Sequence, residues 1–325
     1  MSTIKDVAKL AGVSISTVSY ALNNKGAISR ETKLKVLKAV KELDYRPNGN
    51  ARNLKTKKSN LIAVVLYDFD SLVYKDILKG VREVAKVQGY EVIIIESVSG
   101  KDAVSKILSQ GLVDGAIILS ASIDDEMIIE LAGDSFPIVV LDRKISNEYI
   151  SCVLIDNVMG AYQAVKHMAN MSYRKVGTIT GPKDTYDSNK RLEGFKKAVK
   201  ELGLENNPSW NGCGNFIEQG GYNAMLKLLE NDNYAEAYFC ANDEMAIGAI
   251  KACKEKGLLV PEDIAIIGFD DIVLCEYVNP RLTTLRRPSY ESGMIAANNL
   301  VHSLKGESSS KGVMLAPELI IRESC

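Results

Sequence analysis

Apolar residues recur at helical spacing from the start of the chain. Ile4, Val7, Ala8 and Ala11 fall on one face, and Val18, Ala21 and Leu22 form a second stripe. The pattern predicts two short helices within Thr3–Asn23. They part at Gly12, where a residue without Cβ permits the left-handed conformation of a sharp turn. Thr3 is placed to cap the first helix, with Asp6 three residues on near its positive end. Ser14 or Ser16 can cap the second, which turns Ile15, Ser16, Ser19 and Tyr20 outward. A third helix starts after Ser29, where Ser-Arg-Glu-Thr supplies a cap and an acid in the first turn. Val36, Leu37, Val40 and Leu43 are its expected buried stripe. Three helices this short enclose little core.

From Leu61 the texture changes to apolar strands alternating with amphipathic helices, the pattern of a parallel α/β sheet. Strands are predicted over 61–66, 91–95, 115–119, 138–141 and 152–155, with helices over 74–88, 101–110 and 125–132. The pattern restarts with a helix over 160–171, a strand over 176–180 and helices over 189–202 and 220–229. A strand over 237–240, a helix over 243–256 and a strand over 264–269 follow. After a crossover at 280–285 come a helix over 290–304 and one strand over 313–321. Two such wheels with a return to the first describe two parallel-sheet lobes. Ligands of open α/β sheets sit beyond the carboxyl ends of the strands, so the strand ends of both lobes should face one cleft.

Charge sharpens this division. Residues 1–60 carry 13 Lys/Arg against 4 Asp/Glu, a net of +9, whereas the other 265 residues net −10. A basic module on an acidic body implies a polyanion as the module's partner. A short helix with small outward residues suits a major groove, because bulk at its first turn would block the base edges. No run of eighteen apolar residues suggests a membrane span, and no apolar leader opens the chain, so a cytoplasmic location is expected. Six scattered cysteines without a C-x-x-C pair read as reduced thiols, and two distant histidines give no basis for metal or histidine chemistry. No cofactor, metal or catalytic residue is expected. G-x-G-x-x-G, G-x-x-x-x-G-K and G-x-S-x-G are all missing, and Asp270-Asp271 alone is a weak catalytic signal.

The motifs Ile4-Lys-Asp-Val-Ala8, Ala11-Gly-Val-Ser14, Ser16-Thr-Val-Ser19 and Leu22-Asn23 closely resemble the helix-turn-helix headpiece of the lactose/galactose repressor family. The likeness continues through Val140-Leu-Asp-Arg143, Asp156-Asn-x-x-Gly-Ala-Tyr162, Gly181-Pro, Arg191-Leu-x-Gly-Phe195, Ala241-Asn-Asp-x-Met-Ala-x-Gly248, Gly268-Phe-Asp-Asp271 and Pro280-Arg-Leu-Thr-Thr284. It implies a small all-α headpiece (1–47), a hinge helix and linker (48–60), and a bilobed, periplasmic-binding-protein-like core (61–325). The N-lobe would comprise about 61–155 plus 286–313, and the C-lobe about 157–284 plus 315–325. A leucine-rich tetramer extension is not expected, and the implied assembly is a homodimer on pseudo-palindromic double-stranded operator DNA.

The resemblance also assigns residues. The DNA contacts expected are Thr3, Ser14, Ile15, Ser16, Thr17, Ser19, Tyr20, Asn23 and Arg30 in the headpiece, with Asn48, Arg52, Asn53 and Leu54 in the hinge. Residues 49–58 are too few for a stable isolated helix. In relatives the segment becomes helical on DNA and pushes a leucine, here Leu54, into a minor-groove step. Tyr20 stands where the family usually has Arg. It can hydrogen-bond a phosphate or stack, but it cannot make the bidentate guanine contact open to Arg.

In the core, Arg191, Asn242-Asp243 and Asp270-Asp271 all follow strand ends. Guanidinium, amide and carboxylate are what polyhydroxyl recognition needs, with an aromatic, Phe216 or Tyr74, over the apolar sugar face. The family positions matching Arg191, Asn242, Asp270, Phe216 and Tyr74 contact the effector, with Asp142 nearby. Asp243 and Asp271 are expected to serve as helix cap or backbone brace. Asp70-Ser-Leu-Val-Tyr74 departs from the family's Ser-Asn-Pro-Phe-Phe-like loop, and the segment over 95–101 is short. The function implied is a sequence-specific transcriptional regulator, a repressor, controlled by a small effector, a sugar or sugar derivative. The alternatives are a free-standing sugar-binding protein, against which the basic headpiece argues, and an α/β enzyme.

Overall fold

A computed structural model describes residues 2–23, 28–45, 58–67, 69–98, 100–230, 233–308 and 310–325. They form two compact units, Met1–Ser59 and Asn60–Cys325. In the first, α1 (Ile4–Ala11), α2 (Ile15–Asn23) and α3 (Arg30–Glu42) enclose Val7, Val18 and Val36, with Ala8, Ala21 and Ala39 between them. Thr3 and Asp6 form a reciprocal capping box, and Gly12 ends α1 at φ +67°. Ser14, rather than Ser16, caps α2: its hydroxyl accepts from the Thr17 amide at 3.1 Å. Ser29 caps α3 through the Thr32 amide at 3.1 Å.

Leu37 corrects the expected stripe of α3. It is 43% exposed, and Ala39 is buried instead. Val36 and Ala39 are buried and Val40 and Leu43 half-buried beside them, spaced three and four apart along the inner face. A residue directly after Val36 is turned about 100° away from that face.

The core holds two six-stranded sheets. The first contains β1 (Leu61–Leu66), β2 (Glu91–Glu96), β3 (Gly115–Ile118), β4 (Ile138–Leu141), β5 (Ile150–Ile155) and β11 (Gly312–Leu315). All its pairings are parallel, in the order β11-β5-β4-β3-β1-β2. The second contains β6 (Val176–Thr180), β7 (Asn211–Cys213), β8 (Ala237–Cys240), β9 (Ala265–Asp270), β10 (Thr283–Arg286) and β12 (Glu318–Ile320), in the order β12-β10-β9-β8-β6-β7. Only β12 runs antiparallel. Central strands such as Leu-Ile-Ala-Val-Val-Leu of β1 are buried on both faces, as helix-covered parallel sheets require.

Helices α4 (Tyr74–Val87), α5 (Lys101–Ser109), α6 (Asp125–Leu131) and α11 (Ser289–Leu304) belong with the first sheet. With the second go α7 (Asn157–Asn170), α8 (Tyr186–Leu202), α9 (Glu218–Leu228) and α10 (Asp243–Glu255). The chain passes between the sheets three times, near Asp156, Arg287 and Pro317. The last crossing corrects the single strand expected over 313–321. Ala316-Pro317 interrupts it, so that β11 joins β5 and β12 joins β10. Proline lacks the amide that a continuous ladder would use. The three-residue β7 and the 3-10 turn Pro208–Trp210 before it have too little apolar pattern to be read from sequence.

Glycines set the closest helix contacts. A Cβ on Gly194 of α8 would overlap the Val158 carbonyl of α7. Alanine at an exposed helix site gains about 1 kcal/mol over glycine. Overpacking against backbone costs about 1–3 kcal/mol. Gly194→Ala should therefore lower the stability of the core by about 1 kcal/mol. Urea unfolding can be followed through Trp210, the single tryptophan, which is buried with its indole N–H on the Asn233 carbonyl at 2.7 Å. Stability equal to or above that of the parent would refute a backbone-limited α7–α8 contact.

Candidate functional site

The headpiece presents an exposed face on α2. Ile15 and Tyr20 are 45% and 52% exposed, Ser16 is exposed, and Ser19 is half-buried. Hydroxyls cluster at the helix start: Ser14 Oγ lies 2.7 Å from Ser16 Oγ and 2.8 Å from Thr17 Oγ1. These neutral groups sit at the positive end of the helix dipole, which favours phosphate oxygens. Arg30 is exposed at the start of α3. Thr3 is already used locally, since its hydroxyl donates to Asp6 at 2.7 Å. Asn48, Arg52, Asn53 and Leu54, and the side chain of Asn23, lie outside the described residues.

In the core, Arg191 is the centre of a buried polar cluster. It stands on α8, one turn after Asp187, and is 2% exposed. Its Nε donates to Asn157 Oδ1 at 2.8 Å, and its two terminal nitrogens donate to the Ala241 carbonyl at 2.5 Å and to Asp270 Oδ1 at 3.3 Å. Asp187 is 3.9 Å away and accepts from Asn157 Nδ2 at 2.7 Å. The guanidinium carbon lies 3.8 Å above the Phe269 ring and 5.8 Å from that of Phe216. A cation removed from water is stabilised here by carboxylates and by aromatic faces.

The other expected residues divide by role. Asp270 joins Arg191 directly. Phe216 lies over Gly181, which has no side chain to obstruct the ring. Asn242 caps α10 through the Met245 amide at 3.0 Å and holds the Phe216 carbonyl at 2.9 Å, so it orients that aromatic. Tyr74 begins α4, half-buried against the first sheet's core. Asp142 pairs with Arg287, whose nitrogen donates to its two oxygens at 3.0 and 2.8 Å. Asp243 and Asp271 are braces. Asp243 accepts from the Ile272 amide at 2.9 Å, and Asp271 pairs with Arg286 and Arg322, each at 2.7 Å.

Sequence reading missed Asn157, Asp187, Phe269 and Arg287. The i,i+4 spacing of Asp187 and Arg191 was a usable signal. For Arg287 there was none, because its partner lies 145 residues away. Arg287 lines a cavity of about 540 Å³ together with Asp76, Asp270, Asp271, Arg286 and Tyr290. Asp142, Phe216, Asp270 and Asp271 have φ of +56°, +66°, +121° and +59°. Such values are costly without glycine and gather where surrounding structure enforces them. Burial raises the Asp187 carboxyl to about 7, with Asp142 adding to the rise and Arg191 and Arg287 opposing it. Burial raises Asp270 as well, against the pull of Arg191 and Arg287.

A helix-turn-helix bundle and a two-sheet core with polar strand ends define the class of DNA-binding regulators that respond to a small effector. Residues 3–48 match the model of bacterial regulatory proteins of the lacI family, and 165–325 match the periplasmic binding protein-like domain. The chain is 35% identical over 329 residues to the HTH-type transcriptional repressor PurR of Pasteurella multocida, covering 100% of this chain and 98% of that protein. It is 33% identical over 332 residues to the ribose operon repressor of Haemophilus influenzae, with the same coverage of 100% and 98%. Among solved structures, the lac repressor dimer bound to operator and the anti-inducer ONPF superposes with a TM-score of 0.81 at 27% identity, over 99% of this chain and 98% of that one. The chain belongs to the lacI family of bacterial regulatory proteins, and it is a DNA-binding transcriptional regulator with an effector-binding core.

Removing the central cation gives a direct check of the cluster. Arg191→Ala should cost about 3–5 kcal/mol of stability near neutral pH, because it leaves buried carboxylates unpaired. In the variant, the folded pKa of Asp270 rises further above its unfolded value. The folded state then holds a proton that the unfolded state has lost above about pH 4. The deficit should thus be smallest in acid and grow toward neutrality. A pH-independent deficit in denaturant melts would show that Arg191 does not neutralise the cluster.

Proposed function

We propose that this protein is a homodimeric repressor whose operator affinity is set by a sugar or sugar derivative bound among Arg191, Asp270, Asn242, Phe216, Tyr74 and Asp142. The buried Arg191 cluster carries the reading. It offers fixed donors and acceptors beside two aromatic rings, which is the chemistry of hydroxyl recognition. The ribose operon repressor among the relatives supports this effector class. The solved lac repressor dimer supports the assembly. So does β2, an edge strand on which Ile93 and Ile94 are 38% and 41% exposed. Exposed apolar residues on a sheet edge are otherwise an aggregation hazard.

On DNA, the α2 face of each headpiece reads one half-site, with Ser14, Ile15, Ser16, Thr17, Ser19, Tyr20 and Asn23 at the groove and Thr3 and Arg30 at the backbone. The hinge over 48–60 orders between headpiece and core, with Leu54 as a wedge and Asn48, Arg52 and Asn53 beside it. Ordering so short a helix costs entropy that DNA contacts and a twin hinge must offset. Unstacking a base step costs a few kcal/mol, least at pyrimidine–purine steps, so such a step should lie at the operator centre. An effector with unequal affinity for two lobe arrangements then shifts DNA affinity by linkage.

Two measurements test the reading. In a gel-retardation assay, a fragment starting at Leu61 should not bind the operator, whereas the full chain should show a log–log salt slope of about −0.9 per phosphate neutralised. Binding by the fragment would reject the headpiece assignment. Leu54→Ala should weaken operator binding far more than non-specific binding and reduce the DNA bend, leaving effector affinity without DNA unchanged. Undiminished bending and full operator affinity would reduce the hinge to a tether.

A further inference from the structure

We infer that the cleft takes an uncharged polyhydroxyl molecule and turns away its phosphate ester. This rests on the sugar reading above and narrows it. Family likeness does not fix the charge of the effector, whereas the charge balance of this cleft does.

Both buried guanidiniums are committed within the protein. Arg191 faces Asp270 and Asp187, and Arg287 spends one terminal nitrogen on both oxygens of Asp142. Three carboxyls surround two cations, and with burial raising Asp187 to about 7 the cluster lies between neutral and one negative charge near neutral pH, with no cation to spare for an incoming anion. A phosphate would have to displace a carboxylate from its arginine and leave that carboxylate buried and unpaired, which is costly. Among the described residues, the one buried side-chain donor without a protein partner is Nε of Arg287. A single hydroxyl oxygen satisfies it.

Helix N-termini are the other common phosphate seats. Several begin at the cleft ends of the strands, and each has a capping side chain or an acid at its start: α4, α5, α8 and α9 have no side-chain cap but hold Asp76, Asp102, Asp187 and Glu218 in their first turns. Asp124 caps α6 through the Met127 amide at 3.0 Å, Asp156 caps α7 through Met159 at 2.9 Å, and Asn242 caps α10. Asp187 and Asp243 lie in the first turns of α8 and α10. The positive ends that would draw a phosphate are already met by carboxylates. At the rim, Arg143 is held by Asp125 at 2.9 Å, and Lys144 and Lys183 are exposed, where salt screens their attraction.

Neutral groups complete the picture. Ser97 follows β2, and Ser120 and Ser122 follow β3. Their hydroxyls are mutually bonded at 2.7–2.8 Å. Each can donate or accept, so the trio can re-pair with ligand hydroxyls without leaving a charge unmatched.

Full-length protein should be titrated with ribose, glucose and galactose, each beside its monophosphate ester, by calorimetry and by thermal shift at physiological ionic strength. At least one parent sugar should bind, and its ester should bind about 100-fold more weakly, since like-charge juxtaposition costs several kcal/mol. Asp142→Asn suits the left-handed backbone there, which Asn tolerates, and it frees Arg287. The ester should then gain about tenfold, the scale of one charge-assisted hydrogen bond, with a smaller change for the parent sugar. Arg287→Gln, which removes the cation, should keep the preference for the parent sugar. An ester that binds wild type as tightly as its parent overturns the inference and leaves the sugar reading standing. If no sugar or ester binds, the sugar reading falls and this inference with it.

Discussion

The core depends on keeping Arg191 charged where water does not reach. Its guanidinium takes partners from the start of α7, the end of β8 and the end of β9, and it stacks on Phe269 from within β9. A charge in that position costs several kcal/mol unless its hydrogen bonds and a counter-charge are all in place. The strand ends of the second sheet are therefore held in one arrangement by a single side chain. Groups fixed in this way have little freedom left to lose, so any ligand meeting them would spend less of its contact energy on ordering them.

Arg287 carries the same logic from one sheet to the other. It lies on the crossing from β10 to α11, and its guanidinium grips Asp142 at the end of β4. Asp142, Asp270, Asp187 and the two arginines thus form one electrostatic group spanning both sheets. Burial alone would lower Arg287, yet the three surrounding aspartates hold it well above the ordinary range. The left-handed backbone at Asp142, Phe216, Asp270 and Asp271 lies within or beside this group. Strain and buried charge are concentrated at the strand ends, while the strands behind them are packed with aliphatic side chains.

The headpiece is built on a different balance. Its core consists of three valines and three alanines with a few half-buried neighbours, so its stability rests on caps as much as on packing. Thr3, Ser14 and Ser29 each satisfy an amide that would otherwise be open at a helix start. The same hydroxyl chemistry at Ser14, Ser16 and Thr17 leaves the front of α2 small and neutral. The exposed Tyr20 is the one large aromatic side chain described on that face of α2.

The sequence by itself determined the parts whose information is local or periodic. Helical spacing and caps located the three headpiece helices. Continuous apolar runs located the central strands, and turn residues separated the repeated α/β units. Motif likeness assigned the regulator and pointed to Arg191, Asp270, Asn242 and Phe216. Only the tertiary structure decided what those groups do. Asn242 turns its amide to a helix cap and to the Phe216 carbonyl, and Asp142 finds a partner 145 residues away in Arg287. Leu37 falls off the buried face because a helix turns by about 100° per residue, and one apolar run over 313–321 serves two sheets because Pro317 breaks its ladder. Periodicity records which face of an element is buried. The pairing of charges across distant strand ends depends on where the chain returns, and no stretch of sequence near either partner carries that distance.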